Sequence, residues 1–221
     1  MSEIYLKPAA DLPSPRTQRD RAHPIRQSKI MAETKGVLLS SWRQLLVQRF
    51  GEPAVAGATK SLDPADRVLL TQAFLPSSWY PFETLHAFRR LTRSLAATTT
   101  KEDLTDEIGR FMAEQACLGV YRVLLANEPS KLIEKLPLVE DLLFRPSRRM
   151  EVLPSGPSSV TVRYHYDDYG DSVKLYRSIC ASHIGFISKM FELAGAQGVK
   201  GQHPKCVSKG GRYCEFRYDW K

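Results

Sequence analysis

The stretch from Cys180 to Trp220 constrains this chain most. Two strand-like runs, Gly198-Val-Lys-Gly-Gln-His203 and Arg212-Tyr-Cys-Glu-Phe-Arg-Tyr-Asp-Trp220, flank Lys209-Gly210-Gly211. Glycines supply the backbone freedom that a tight turn needs. A hairpin with its tip there sets Cys206 directly opposite Cys214. Directly opposed residues hold their Cβ atoms roughly 4.5–5.5 Å apart. Two thiols so placed can share a metal ion, form a disulfide, or pack as small hydrophobes. In the last run Cys214, Phe216, Tyr218 and Trp220 alternate with Glu215, Arg217 and Asp219. One face of that strand is therefore core and the other meets water.

Upstream, Val173, Tyr176, Cys180, His183, Ile184, Ile187, Met190, Phe191 and Ala194 share one side of a helix over Asp171 to Ala194, which Gly195 stops. Before it, Arg149 to Leu153 and Ser159 to Tyr166 read as a hairpin around Pro154-Ser-Gly-Pro157. The first half is helical. Val37, Leu38, Leu39, Trp42, Leu45, Leu46 and Phe50 recur at helical spacing before Gly51. Asp63-Pro64 starts a second helix, Pro81 a third, and Thr99 or Thr100 caps a fourth that runs to Leu124. Glu128-Pro129 breaks it, and two short helical pieces follow to Phe144. The order predicts an α+β fold: a helical half, then a ββαββ antiparallel-sheet half.

Residues 1–33 are rich in Pro, Arg, Ser and Gln without either period, and read as a disordered basic leader before one domain over 34–221. With 43% hydrophobic residues that domain can bury a sizeable core. No apolar run follows Met1, and none is long enough to span a membrane, so a cytoplasmic protein with reduced thiols is expected. The net charge of +8 invites an anionic partner. The charges are scattered, however. Arg89-Arg90 with Arg93, and Arg145 to Arg149, are the local clusters, and neither interleaves aromatics that stack on bases. Nucleic acid is not an expected partner.

A family likeness is carried by Gly119-Val-Tyr-Arg, Arg149-Met-Glu-Val, Gly185-Phe, Phe191-Glu-Leu-Ala-Gly-Ala, and His203, Cys206, Gly210 and Cys214-Glu-Phe before Trp220. This pattern, over about Lys35 to Trp220, resembles the vinyl-four-reductase (4-vinyl reductase) domain, and within it short myxobacterial paralogues. That domain shares a superfamily with haem nitric-oxide-binding domains and TRAPP vesicle-tethering subunits. The resemblance implies an NO-signalling/Golgi-transport ligand-binding-like fold, a small apolar ligand cavity between helices and sheet, and pairing into a homodimer. The apolar run Val37 to Leu39 points to the N-terminal helices as the dimer surface.

The resemblance also places Cys180, Cys206 and Cys214 at the positions of three zinc cysteines in aromatic-sensing relatives. A closed zinc shell wants a fourth donor. His165, Asp167, Asp168 and His203 are the candidates, with His203 nearest Cys206 in sequence. Buried, metal-free thiols are the alternative. Haem is not expected, because the haem-binding relatives use a proximal histidine in the helical half, where this chain has only His86. The ligand cavity is expected near Trp79, Phe111, Tyr121, His183, Gly185 and Ile187, with core packing as the alternative for each.

There is no Walker loop, no Gly-x-Ser-x-Gly and no His-Glu-x-x-His. The expected function is a non-enzymatic small-molecule-binding or signalling domain for an apolar or aromatic ligand. The alternative is a protein-interaction scaffold with a filled cavity. An accessory enzyme acting on an aromatic or tetrapyrrole substrate is a third class without a visible acid–base set.

Overall fold

A computed structural model describes residues 32–99, 103–153, 156–166 and 180–221. Strand β1 (Glu33–Lys35) leads directly into α1 (Gly36–Phe50), α2 (Glu52–Lys60) and α3 (Pro64–Thr71). Then come β2 (Trp79–Pro81), α4 (Glu83–Thr99), α5 (Thr105–Leu118), a short 3₁₀ turn (Arg122–Leu124) and α6 (Pro129–Leu143). The second half holds β3 (Phe144–Arg145), β4 (Arg149–Leu153), β5 (Ser159–His165), α7 (Cys180–Leu193), β6 (Lys200–Lys205) and β7 (Tyr213–Asp219). The architecture is α+β, a helical half followed by an antiparallel-sheet half. The leader, up to Met31, lies outside the described residues, as does the first part of the predicted long helix. Ala32 is buried in the core and Glu33 opens β1, so two residues of the expected leader belong to the fold.

Two antiparallel sheets form, in the orders β2-β1-β3 and β4-β5-β7-β6. In the larger sheet Val160 pairs with Tyr218, Val162 with Phe216 and Tyr164 with Cys214. All six are buried, which is the alternation read from β7. This face receives α7, and α5 packs across the other side of α7. Two glycines allow that crossing. A Cβ at Gly109 would overlap the Ser182 carbonyl, and one at Gly185 would overlap the Asp106 carbonyl. Only hydrogen fits where two helix backbones approach so closely.

Three local expectations are corrected. One helix, α6, runs from Pro129 to Leu143 where two short pieces were expected, and Pro129 opens it because its missing N–H falls at the first turn. Helix α5 ends at Leu118, where the Gly119 N–H bonds to Gln115. Helix α2 and the small sheet went unpredicted. The apolar run of α1 needs no second copy either: Val37, Leu38, Leu39, Trp42, Leu45 and Leu46 are all buried within the chain.

Candidate metal centre and inner cavity

Cys180 at the start of α7, His203 on β6, Cys206 just after β6 and Cys214 on β7 converge. Their donor atoms all lie within 4.8 Å of one another. The Cys206 and Cys214 sulfurs are 4.0 Å apart. A tetrahedral ion with metal–sulfur bonds of about 2.3 Å separates its donors by roughly 3.8 Å. The set is therefore near the spacing such an ion imposes.

Strict alternation would send His203 and Cys206, three residues apart, to opposite faces. The register of β6 on β7 shifts between Gln202 and Lys205. Pro204 sits in that shift, where a missing N–H is tolerated. The extra residue turns both His203 and Cys206 inward, as a β-bulge does. His203 is then held flat against Phe216, with ring centroids 4.2 Å apart.

Hydrogen bonding favours the thiolate form at one member of the cluster. The Cys180 thiol donates to Cys214, and His203, the Val207 backbone N–H and Tyr166 add further hydrogen bonds, which together draw the Cys214 thiol well below its ordinary value. Cys180, whose proton holds that bond and whose side chain is desolvated, moves up. The two titrate as a pair. A thiolate beside thiols and an imidazole is ready to ligate a metal ion. Four protein donors leave no open position, which is the arrangement of a structural centre rather than a catalytic one. Cys117 is not part of it; buried in α5, its thiol is pushed up to about 12. His165 faces the other side of the sheet and bonds to Glu151 at 3.2 Å. Asp167 and Asp168 lie outside the described residues.

One turn along α7 from Cys180, His183 faces a different space. A cavity of about 30 Å³ lies between the helical half and α7, walled by Leu38, Trp42, Met112, Glu140, Phe186 and His183 among others. The His183 ring meets Tyr164 edge-on and lies against Phe216, each at 4.7 Å. Its Nε2 has no hydrogen-bond partner among the described residues. Burial, then the charge of Arg148, then His203, hold its pKa well below the usual imidazole value, so the ring is neutral.

A buried polar bridge joins cavity and cluster. Arg148 donates to both Glu140 oxygens, at 2.7 and 2.5 Å, and both side chains are only 2% exposed. The guanidinium also reaches the Tyr166 hydroxyl at 3.4 Å and covers the Tyr164 ring at 4.4 Å. Tyr166 in turn bonds to Cys214. Sequence reasoning did not place Glu140, Arg148 or Tyr166 at the site, although Tyr166 was read into the hairpin. The available signal was the carboxylate that ends the apolar run Leu136-Pro-Leu-Val-Glu140.

Of the residues expected at the cavity, only His183 lines it. Trp79 is on the small sheet, between the Lys35 ammonium at 3.8 Å and the Arg145 guanidinium at 4.0 Å. Tyr121 is buried just past α5, Phe111 packs against the core edge, and Ile187 is core. Gly185 marks the α5–α7 contact.

No family model and no curated protein matches the sequence. Solved structures do match in fold. An H-NOX protein from S. oneidensis in the Fe(II)NO ligation state is 12% identical, with a TM-score of 0.62 over 85% of this chain and 99% of that one. A Fe(II) unliganded H-NOX protein from K. algicida is 15% identical, TM-score 0.56, over 85% and 96%. An oxygen-binding H-NOX domain related to soluble guanylate cyclases is 14% identical, TM-score 0.55, over 85% and 95%. At such identities the likeness shows the fold. It corrects the family expectation: these neighbours are H-NOX domains, and nothing found supports a vinyl-four-reductase domain or a TRAPP subunit. The motifs behind that expectation are a cysteine hairpin and a glycine-mediated helix contact, local devices that different families can share.

The cofactor expectation, zinc without haem, is corrected by the same finding. The fold neighbours include structures described by haem redox potential and by the function of haem distortion in the H-NOX family. Tested on this chain, the lining offers one unpartnered imidazole nitrogen, at His183. His86 does not line the cavity and packs against Phe82 at 5.8 Å. The cavity of about 30 Å³ has room for about two water molecules, at roughly 10–15 Å³ of such space each, whereas cofactor pockets take about 300–1,000 Å³. As they stand, the residues do not accommodate a macrocycle, and no step is derived through one.

Proposed function

We propose that this chain is a non-enzymatic ligand-binding signalling domain in which Cys180, His203, Cys206 and Cys214 hold a transition-metal ion that prefers thiolate and imidazole. The observation that carries this reading is one turn of α7: Cys180 enters the donor cluster, and His183 enters the cavity. A ligand that moves α7 at His183 moves a metal donor with it. The Glu140–Arg148–Tyr166 bridge supplies a second connection between the same two places. A cavity of about 30 Å³ suits a ligand of two or three heavy atoms. An aromatic ligand would have to displace Trp42 or Phe186. Reduced thiols suit a cytoplasmic setting. The small volume also favours a second reading, a protein-interaction domain with a filled interior.

Native mass spectrometry of the full chain, purified without chelator, tests the proposal. One metal ion per chain and a releasable small-molecule mass are expected, with the metal missing from Cys206→Ser. A haem mass would overturn the small-ligand reading. A chain carrying neither metal nor ligand would overturn the whole.

A further inference from the structure

Trp42 separates two spaces. One side of the indole walls the inner cavity, and the other floors an open cleft of about 500 Å³ between α4 and α5. We propose that this cleft binds a small amphipathic anion, a carboxylate or a phosphate ester carrying an apolar body. The site lies across Trp42 from His183 and does not depend on the metal cluster.

Arg89 and Arg93 stand one turn apart on the α4 wall. Like charges at that spacing repel. Nearby arginines are neutralised: Arg43 pairs with Glu52, Arg49 with Glu107, Arg90 with Asp66 and Arg110 with Asp106 and Glu192. Among the described residues neither Arg89 nor Arg93 closes such a pair. One carboxylate, Asp103, faces them and feels Arg89. It is engaged in its own helix start, where it accepts from the Thr105 N–H and hydroxyl. Among the described residues, two guanidiniums against one committed carboxylate leave the cleft cationic.

The floor is apolar. Ala96, Leu104 and Ile108 surround Trp42, whose Nε1 donates to the Thr92 hydroxyl at 2.9 Å. That hydroxyl donates to the Phe88 carbonyl at 2.8 Å, so the indole N–H and the hydroxyl proton are already engaged. Charge at the rim and an apolar base call for a ligand with the same division. The volume lies within the range of about 300–1,000 Å³ typical of small-molecule sites.

The test uses the ¹H–¹⁵N spectrum of the full chain. The Trp42 indole resonance is identified by elimination, with Trp79→Phe and Trp220→Phe. The probes are 2-naphthoate, 2-naphthyl phosphate, the neutral 2-naphthamide and inorganic phosphate. At least one naphthyl anion should shift the Trp42 resonance saturably, and the tighter of the two names the head group. Affinity should fall about tenfold or more for 2-naphthamide and for the Arg89→Gln/Arg93→Gln protein. Arg93→Gln, at an exposed position, serves if the double variant fails to fold. No shift with either anion, equal binding of the amide, equal binding by the variant, or inorganic phosphate binding as tightly as its naphthyl ester would overturn the proposal.

Discussion

Arg148 connects the parts of the interior. It is 4% exposed, forks onto Glu140, covers Tyr164 and reaches Tyr166. Removing one partner of a buried pair strands the other charge, which costs about 3–5 kcal/mol. Arg148→Met should lower the unfolding free energy in urea by that amount, and adding Glu140→Leu should recover part of it. A loss under about 1 kcal/mol for Arg148→Met would show that the pair is not desolvated. His183 gives a pH signature. Its folded pKa is depressed, so below about 6.5 the unfolded chain takes up a proton that the folded chain refuses. Stability therefore rises with pH up to that point, by as much as about 1.4 kcal/mol per pH unit from this residue. Unfolding curves of the native protein and His183→Gln between pH 5 and 6.5 should show a shallower slope in the variant. Equal slopes would mean that the imidazole is solvated.

Between elements, backbone contact decides more than side-chain identity. Gly185→Ala gains about 1 kcal/mol of helix propensity. It also forces a methyl into the Asp106 carbonyl, and overpacking of that kind costs about 1–3 kcal/mol. Net destabilisation in thermal melts is expected, and a more stable variant would refute the close crossing. Deleting Pro204 removes the bulge and leaves His203 and Cys206 two residues apart, the spacing that strict alternation sends to one face, so the deletion should keep both the β signal in circular dichroism and metal binding; lost binding would show that the cluster needs the bulge itself. These elements also show what the sequence made legible. The core positions Cys214, Phe216 and Tyr218 are a short-range pattern and appear as read, whereas Glu215 on the opposite face is also buried, and α7 is buried beyond the apolar side that was read, at Ser182, Gly185, Phe186 and Ser188 too. The small sheet pairs Glu33 with Pro81 and with Arg145, and leaves no local periodicity to detect. Glu140 and Arg148 are charged, so residue type alone puts them on the surface, and only the folded chain brings them together. The approach of Cys206 to Cys214 was legible from hairpin placement, whereas the choice of His203 among four candidate donors, and its meeting with Cys180, needed the folded chain. The bulge that makes the cluster geometrically sound was not legible.

At the scale of the molecule, two halves meet at α7. The helical half reaches it through α5, and the sheet reaches it through the thiol cluster and the edge-on and tilted ring contacts of Tyr164, His183 and Phe216. A metal ion in the cluster would clip the start of α7 to the β6–β7 hairpin, so ligation should add directly to the stability of the folded state. Cobalt(II) titration of the metal-free chain under reducing conditions tests this most directly, because tetrahedral thiolate–cobalt has its own visible and near-ultraviolet bands. The account predicts those bands saturating at one cobalt per chain, a raised thermal midpoint, and loss of both in Cys206→Ser and Cys214→Ser. A featureless titration, or bands that survive both substitutions, would contradict it.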